Sequence, residues 1–333
     1  MEIVPLTAER AAEAAALLAD NYRALRAAVQ SLPERHEDPG AAQHSIERAQ
    51  AGGLGVGATE SGPLVGYLAG FRIPRFKGRE RGFLVPTFGH AASGGDAARV
   101  ATYRRLYSVA AEEWLRAGLY AHAVQLPAPD AAARELFFRL GFGMIVIDAV
   151  RPLPGPSPIP GERPDGTEVR RASVEDAPLL LPLARGLLDH LASAPIFLPR
   201  EEPTLDEQVE WLKGDDHALW LAFADGDPVG YIRCQPTPGD VAHYVQDPKT
   251  VSITGAFVRP EVRGRGVAAA LLADLLDWAT TRGYARCAVD CESANAEGSG
   301  FWLQHFDPVC CSLLRRVDER AGYRHDSPTT ARG

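Results

Sequence analysis

The feature that most restricts the fold of this chain is an internal repeat. Two segments, 54–71 and 218–234, each hold two apolar strands joined by a short turn, with Val-Gly-Tyr in the second strand. Tyr67 and Tyr231 are 164 positions apart, and so are Trp114 and Trp278 in two later helical segments. A constant offset across separate elements indicates a duplicated domain.

A proline-rich stretch separates the two copies. Residues 151–166 read RPLPGPSPIPGERPDG, and six prolines in that stretch exclude a helix or a central strand. The chain therefore divides into domain 1–150, linker 151–166 and domain 167–325. Each copy is predicted to run strand, helical region, strand hairpin, third strand, long helix, strand, short helix and final strand, which is an α/β fold with a mixed sheet.

A glycine-rich loop lies between a strand and a helix in the second copy. The stretch FVRPEVRGRGVA covers 257–268; Pro260 ends the strand before it, and a strongly apolar helix follows until Gly283. Such a loop points unpaired N–H groups at one place, next to the positive end of a helix dipole, and glycine lets the backbone approach an anion.

Three interpretations of this loop are open. The glycines make only a tight turn with solvated arginines, or they bind a dinucleotide, or they bind the pyrophosphate of an acyl-coenzyme A. Gly264, Gly266 and Ala269 do satisfy G-x-G-x-x-A. A dinucleotide fold, however, places this motif early in a domain with several strand-helix units after it, whereas here an antiparallel hairpin precedes the loop and little follows.

VRPEVRGRGVA resembles the R-x-x-G-x-A signature of the GCN5-related N-acetyltransferase (GNAT) superfamily, matched by Arg263, Gly266 and Ala268. The hairpin, the long helix, the strand YARCAVDCE and Asn295 follow in the family's order over residues 167–320. The first half shares this layout. The resemblance implies two tandem GNAT-like domains, each with a mixed, mostly antiparallel central sheet flanked by helices.

The resemblance also implies a co-substrate and its contacts. Acetyl-CoA is the expected acyl donor, and no metal is needed. Ala256, Phe257 and Val258 are expected to line the pantetheine arm, and Asn295 to hydrogen-bond the arm or a water near it. The pyrophosphate is expected on the loop and the first helical turn, which comprise Arg263, Gly264, Arg265, Gly266, Val267 and Ala268. Transfer is direct: a neutral amine attacks the thioester carbonyl, a base accepts its proton, and backbone N–H groups stabilise the oxyanion.

Three residues are candidates for the proton transfers. Glu292, at the end of the strand CAVDCE, is a candidate general base, although an exposed strand-end glutamate explains it equally well. Many family members use a tyrosine in the short helix to protonate the leaving thiolate, where this chain has Phe301 and Trp302. His305 and Tyr323 are candidate substitutes, with a structural role as the alternative for each.

The first copy lacks the loop. Counted back by 164 positions, it falls on residues 99–104, which read RVATYR without either glycine. Nearby Asp96 would repel an anion from the helix start. The first domain is therefore predicted not to bind the co-substrate but to shape the acceptor pocket of the second domain; a ligand of its own is the alternative.

Charge points to the class of partner. A net charge of −8 and a pI near 5.6 argue against nucleic acid and favour a small cationic substrate. Segment 193–216 is expected to help attract such an amine, although a solvated helix face explains its carboxylates equally. They are Glu201, Glu202, Asp206, Glu207, Glu210, Asp215 and Asp216.

Other classes of protein find little support. No apolar run approaches the ~20 residues of a membrane span, and no signal-peptide pattern opens the chain, so a cytoplasmic location is expected. The five cysteines lie in the second half without a CxxC pair, which predicts buried thiols and neither a disulfide framework nor a zinc site.

The sequence thus predicts an acetyl-CoA-dependent N-acetyltransferase acting on a primary amine of a small molecule. Its rivals are a catalytically silent acyl-CoA-binding or regulatory protein and a dinucleotide-dependent oxidoreductase. The chain is expected to act as a monomer, a pseudo-dimer of domains, or as a homodimer.

Overall fold

The computed structural model describes residues 1–75, 77–155, 158–159, 163, 165–239 and 242–321, which fall into two compact units. Unit 1 comprises the described residues of 1–147, 242–244 and 309–321, and unit 2 those of 148–239 and 245–308. Among the described residues, no helix combines the length and the apolar character that a membrane span requires.

The first half of the chain supplies eight strands and four helices. They are β1 (Glu2–Pro5), α1 (Ala11–Ala28), α2 (Gly40–Gln50), β2 (Val56–Thr59), β3 (Leu64–Leu68), β4 (Phe71–Ile73), β5 (Gly82–Val85), β6 (His90–Ala92), α3 (Asp96–Arg116), β7 (Ala121–Pro127), α4 (Ala131–Arg139) and β8 (Gly143–Pro152). The second half supplies β9 (Thr167–Arg171), α5 (Ala177–Ala192), α6 (Leu205–Leu212), β10 (Ala218–Ala224), β11 (Asp227–Pro236), β12 (Thr250–Val258), α7 (Val267–Thr281), β13 (Arg286–Glu292), α8 (Ala296–Trp302) and β14 (Asp307–Arg316).

Unit 2 is built on a mixed sheet. Its strand order is β9-β10-β11-β12-β13, antiparallel up to β12, whereas β13 runs parallel to β12. Neighbouring residues of β11 point to opposite faces. Tyr231 belongs to the core cluster that includes Leu180 and Leu183 of α5, whereas a Cβ at Gly230 would lie 3.4 Å from Leu271 of α7. Helices α5 and α7 therefore cover opposite faces of the sheet.

Unit 1 contains two groups of strands. Strands β1, β2, β3 and β6 form one sheet, and β4, β5, β7 and β14 lie side by side in another. The core of unit 1 includes Trp114, which stacks on Phe83 at 4.4 Å between ring centroids. The predicted third strand of this copy is divided into β5 and β6, because residues 86–89, Pro-Thr-Phe-Gly, interrupt it.

The predicted α/β class with helix-flanked mixed sheets is confirmed. The assignment of the chain's last strand differs from the division of the sequence at 151–166. From residue 309 onward, β14 belongs to unit 1, where Cys310 to Arg316 pair antiparallel with β7. The pattern of a strand shows which face is apolar but not which neighbour it joins, so this pairing is a result of tertiary structure.

Candidate functional site

The glycine-rich loop lies where predicted, between β12 and α7. Gly264 and Gly266 have φ angles of 74° and 91°, and Gly266 is the N-cap of α7. Other residues adopt this left-handed conformation only with strain, so both glycines are required by the backbone. A Cβ at Gly264 would meet nothing within 4 Å, which means that the outer side of the loop is open.

The start of α7 adds an electrostatic feature. Helix α7 has 15 residues, and the first N–H groups of a helix have no acceptor within it. The first residues, Val267 to Ala269, are small or apolar and contribute no acidic side chain. The loop and helix start therefore form a cradle suited to an anion.

Arg263 is held across the mouth of this cradle. Its Nε donates to the carbonyl oxygen of Val258 at 3.0 Å, and its guanidinium forms an ion pair with Glu297 of α8. The same guanidinium lies 5.6 Å from the ring centroid of Phe257. Because the cation is already paired, an incoming anion competes with the Glu297 carboxylate for it.

A cavity lies beside the part of β12 that is not paired with β13. The two strands pair in parallel only from Thr250 to Ile253, with Arg286 to Val289, although β12 continues to Val258 and β13 to Glu292. The cavity has a volume of about 520 Å³ and is lined from α5, β11, β12, the loop, α7 and α8. Its wall includes the predicted residues Ala256, Phe257, Val258, Arg263, Gly264, Gly266, Val267 and Ala268. Arg265 and Asn295 do not line it.

Asn295 has a different partner from the one predicted. It is the N-cap of α8, and its Oδ1 accepts the N–H of Gly298 at 3.1 Å. The same oxygen lies 3.2 Å from Nε2 of His190 in α5. The amide thus connects α8 to a histidine that lines the cavity.

Sequence reasoning missed His190, Leu187 and Glu297 as cavity residues. His190 and Leu187 belong to α5, about 70 positions before the loop, and only tertiary packing brings them to it. Their spacing of three residues on a helix was the available signal, because it places both on one face. Glu297 lies in the first turn of α8, after the N-cap Asn295. Acidic residues are common there because they interact favourably with the helix dipole, so the residue type alone did not indicate a cavity residue.

Two of the candidate catalytic residues, Glu292 and His305, do not line the cavity. Glu292 is half-buried at the end of β13. His305 follows α8, where its carbonyl oxygen accepts from Arg151, and burial, with Arg151 as a second cause, lowers the pKa of its imidazole. Tyr323 lies outside the described residues. The structure therefore brings neither Glu292 nor His305 to the wall of the cavity, and their roles stay predictions.

The cysteines are buried as predicted. All five lie within the described residues, and none forms a disulfide there. Burial raises the pKa of the Cys234 thiol to about 12, so this side chain is neutral at physiological pH. No group of three or more His, Cys, Asp and Glu side chains in the described part of the chain is arranged to hold a metal ion.

The corresponding region of unit 1 is filled. Helix α3 runs unbroken through positions 99–104, and Arg99 is paired with both Asp96 and Asp130. Between β6 and β7, the His90 imidazole lies with Nε2 2.7 Å from the carbonyl oxygen of Gln125 and Nδ1 3.0 Å from the Tyr103 hydroxyl. Burial lowers the pKa of His90, so a neutral ring occupies this space. That the first copy binds no co-substrate stays a prediction.

Comparisons with known proteins agree with this geometry. Residues 186–306 match the sequence model of the family described as Acetyltransferase (GNAT) family. Over the whole chain, the fold is similar to a crystal structure of a GCN5-related N-acetyltransferase from Sphaerobacter thermophilus, with 95% of each chain covered, a TM-score of 0.55 and 15% identity. At that identity the similarity concerns the fold alone. The sequence match is thus confined to residues 186–306, and the similarity over most of the chain is one of fold.

Two curated relatives are similar in part. They are the aminoglycoside N(6')-acetyltransferases type 1 of Salmonella typhimurium and Salmonella enteritidis, each 30% identical over 95 residues. The match covers 28% of this chain and 65% of each relative.

Proposed function

We propose that unit 2 is an acetyl-CoA-dependent N-acetyltransferase that transfers the acetyl group directly to a primary amine of a small molecule. The observation that carries this proposal is the cavity beside the unpaired end of β12, whose wall includes Arg263, Gly264 and Gly266 of the loop. The family match covers these same elements.

The residues present fit the co-substrate. Open space over Gly264, the N-terminus of α7 and the Arg263 guanidinium suit a pyrophosphate. Ala256 to Val258 and Leu271 provide an apolar wall for a flexible arm. When bound, acetyl-CoA supplies an activated thioester, and the protein holds its pyrophosphate and its flexible arm.

A base must accept the proton of the attacking amine. Among the described residues that line the cavity, Tyr231 is buried, which raises the pKa of its hydroxyl, and Glu297 is paired with Arg263. His190 lines the same cavity, and its Nε2 is oriented by Asn295. We therefore propose His190 as the proton acceptor, in preference to Glu292, which lies outside the wall.

Two measurements test the function. Calorimetric titration with acetyl-CoA, CoA and NAD is expected to show binding of the first two only, and thiol release in the presence of an amine panel is expected to show turnover. Tight CoA binding without turnover would favour the catalytically silent alternative, and binding of NAD alone would favour the oxidoreductase.

Variants of the two candidate bases separate their roles. His190→Gln is expected to lower kcat at least a hundredfold at neutral pH, with little change in acetyl-CoA affinity. Glu292→Gln is expected to leave kcat unchanged. The assignment of His190 is wrong if these two results are reversed.

A further inference from the structure

An arginine of β11 lies beside the cavity on the face covered by α5 and α6. Tyr231 and Arg233 are two positions apart and therefore point to the same face of the sheet. Gly255 of β12 lies opposite Arg233. A Cβ at Gly255 would lie 2.9 Å from the Arg233 Nε and 3.3 Å from the Tyr231 hydroxyl. Since Tyr231 lines the cavity, the guanidinium lies next to its wall.

Arg233 has no carboxylate partner among the described residues. Its Nε is buried without a hydrogen-bond acceptor, and the side chain as a whole is half-buried. Its guanidinium carbon lies 4.9 Å from the ring centroid of Trp211 on α6, whose indole N–H donates to Gln235 at 2.9 Å. Trp211 orients the cation, but stacking does not use the in-plane N–H donors of a guanidinium.

Two other polar atoms on neighbouring elements are also unpartnered. Gln208 is 6% exposed, and its Oε1 is buried without a donor within the described structure. It precedes Trp211 by three positions on α6, so both lie on one face of that helix. The Oγ1 of Thr254, the extra residue of a bulge in β12 opposite Arg233 and Cys234, is buried without a partner in the same described region. Buried polar groups are normally hydrogen-bonded to protein or water, so these atoms keep unused hydrogen-bonding capacity.

The carboxylates expected to attract a cation are largely paired with other groups. Glu202 pairs with Arg185 and Arg200, and Asp189 also pairs with Arg200. Glu207 caps the start of α6, Glu210 pairs with Lys213, and Asp216 pairs with Arg282. Among the described residues on this face, Arg233 is a cation that lies beside the cavity-lining Tyr231 without an ion pair.

We infer that Arg233, stacked on Trp211, determines specificity by binding a carboxylate of the acyl acceptor. The acceptor is then an amine that carries a carboxylate, and not a polycationic amine. A guanidinium binds a carboxylate through two parallel N–H donors. This inference rests on the proposed function, because it concerns the second substrate of the same site.

Matched acceptors test the inference. Thiol release from acetyl-CoA is measured with glycine, 4-aminobutyrate, 6-aminohexanoate and glycylglycine, each compared with its terminal amide, and with kanamycin A. The wild-type protein is expected to show kcat/KM at least tenfold higher for the best acid than for its amide. Arg233→Gln is expected to abolish this preference through KM, while Arg233→Lys retains part of it.

Two controls separate recognition from folding. Arg185→Gln removes an exposed arginine of α5 that pairs with Glu202, and it is expected to leave the acid preference unchanged. Arg233→Met keeps an apolar side chain on Trp211, and it is expected to lose the preference while keeping the wild-type affinity for acetyl-CoA. Equal loss of activity toward acids and amides in Arg233→Gln and Arg233→Met would assign the residue a structural role only and overturn the inference.

The inference and the proposed function fail in different ways. Equal rates with acids and amides in the wild-type protein, or a preference for kanamycin A, overturn the inference while the transferase activity stands. If no amine is acetylated, the proposed function is overturned. Calorimetry of the same acids with CoA-saturated protein then decides whether Arg233 binds a carboxylate. Binding by the wild-type protein that Arg233→Gln abolishes supports the carboxylate site, whereas absence of binding by the wild-type protein refutes it.

Discussion

At the scale of single residues, the loop glycine Gly266 has a backbone role and a binding role, and comparison with a second glycine outside the loop can separate them. Gly266 and Gly283 both have left-handed φ angles, 91° and 81°, at opposite ends of α7. Only Gly266 lines the cavity. Gly283 therefore provides a matched control for the cost of the conformation.

Gly266→Ala and Gly283→Ala are each expected to lower the free energy of unfolding by about 1 kcal/mol, because a Cβ is disfavoured at these angles. Gly266→Asp is expected in addition to weaken acetyl-CoA binding at least tenfold, since its carboxylate repels the pyrophosphate. Urea unfolding and calorimetry measure the two effects. Unchanged affinity in Gly266→Asp would show that the loop does not bind the pyrophosphate.

At the scale of elements, the ion pair between Arg263 and Glu297 links the loop to α8. The Glu297 carboxylate is mostly exposed, and it occupies a partner position that a pyrophosphate oxygen would take. We expect Glu297→Gln to strengthen acetyl-CoA binding about two- to fivefold, the size of an exposed ion pair. Calorimetry at low and high salt measures this change, and the difference is expected to shrink as salt rises.

A control for that variant is Glu210→Gln, which removes an exposed ion pair within α6 and is expected to leave the affinity unchanged. Weaker binding by Glu297→Gln would mean that the carboxylate orients Arg263 for the ligand and does not compete with it.

The start of α5 depends on a second charged contact. Asp176 accepts from both terminal guanidinium nitrogens of Arg170 and from the N–H of Ser173, and these bonds, that of Arg170 first, lower the pKa of its carboxyl from 3.8 to about 2. A depressed pKa in the folded state gives stability that is complete above pH 4 and is lost as pH falls toward 2. Helix α5 carries His190, so this contact supports the site.

Asp176→Asn is expected to lower the free energy of unfolding by about 1–2 kcal/mol at pH 7, because the hydrogen bonds that the charged carboxylate accepts from Arg170 and the Ser173 N–H are weakened. The difference from wild type is expected to decrease below pH 4 and to vanish near pH 2. Urea unfolding across this range measures it. A difference that is constant with pH would show that the carboxylate is not charged in the contact described.

At the scale of the whole molecule, the two sequence repeats are not the same as the two compact units. Cys311 and Leu313 of β14, which come from the second repeat, are buried in the core of unit 1 together with Trp114 and Phe137. A division of the gene between the repeats would remove this strand from the sheet it completes.

Leu313→Ala is expected to destabilise unit 1 by about 2–5 kcal/mol, the usual cost of a cavity at a fully buried leucine. Hydrogen exchange measured peptide by peptide is expected to accelerate in α3 and β7. Leu272→Ala, at an equally buried position of α7, is the control and is expected to accelerate exchange in unit 2. Faster exchange confined to unit 2 in Leu313→Ala would contradict the assignment of β14.

Much of the fold and the position of the glycine-rich loop were predictable because the sequence signals for them are local. The order of helices and strands follows from apolar periodicity, and the loop follows from two glycines between a strand and a helix. The role of Asn295 was less predictable, because a residue before a helix also serves as its cap, and here it accepts the N–H of Gly298.

The sequence by itself determined the α/β class and the position of the glycine-rich loop at Arg263 to Ala268, since both depend on residues close together in the chain; the duplication, inferred from a fixed offset, stays a prediction. Tertiary structure alone decided that His190 lines the cavity, that Arg233 lies beside Tyr231, that Glu297 pairs with Arg263, and that β14 completes unit 1. These contacts join residues tens to hundreds of positions apart, and their formation depends on how apolar faces pack, which no local pattern records.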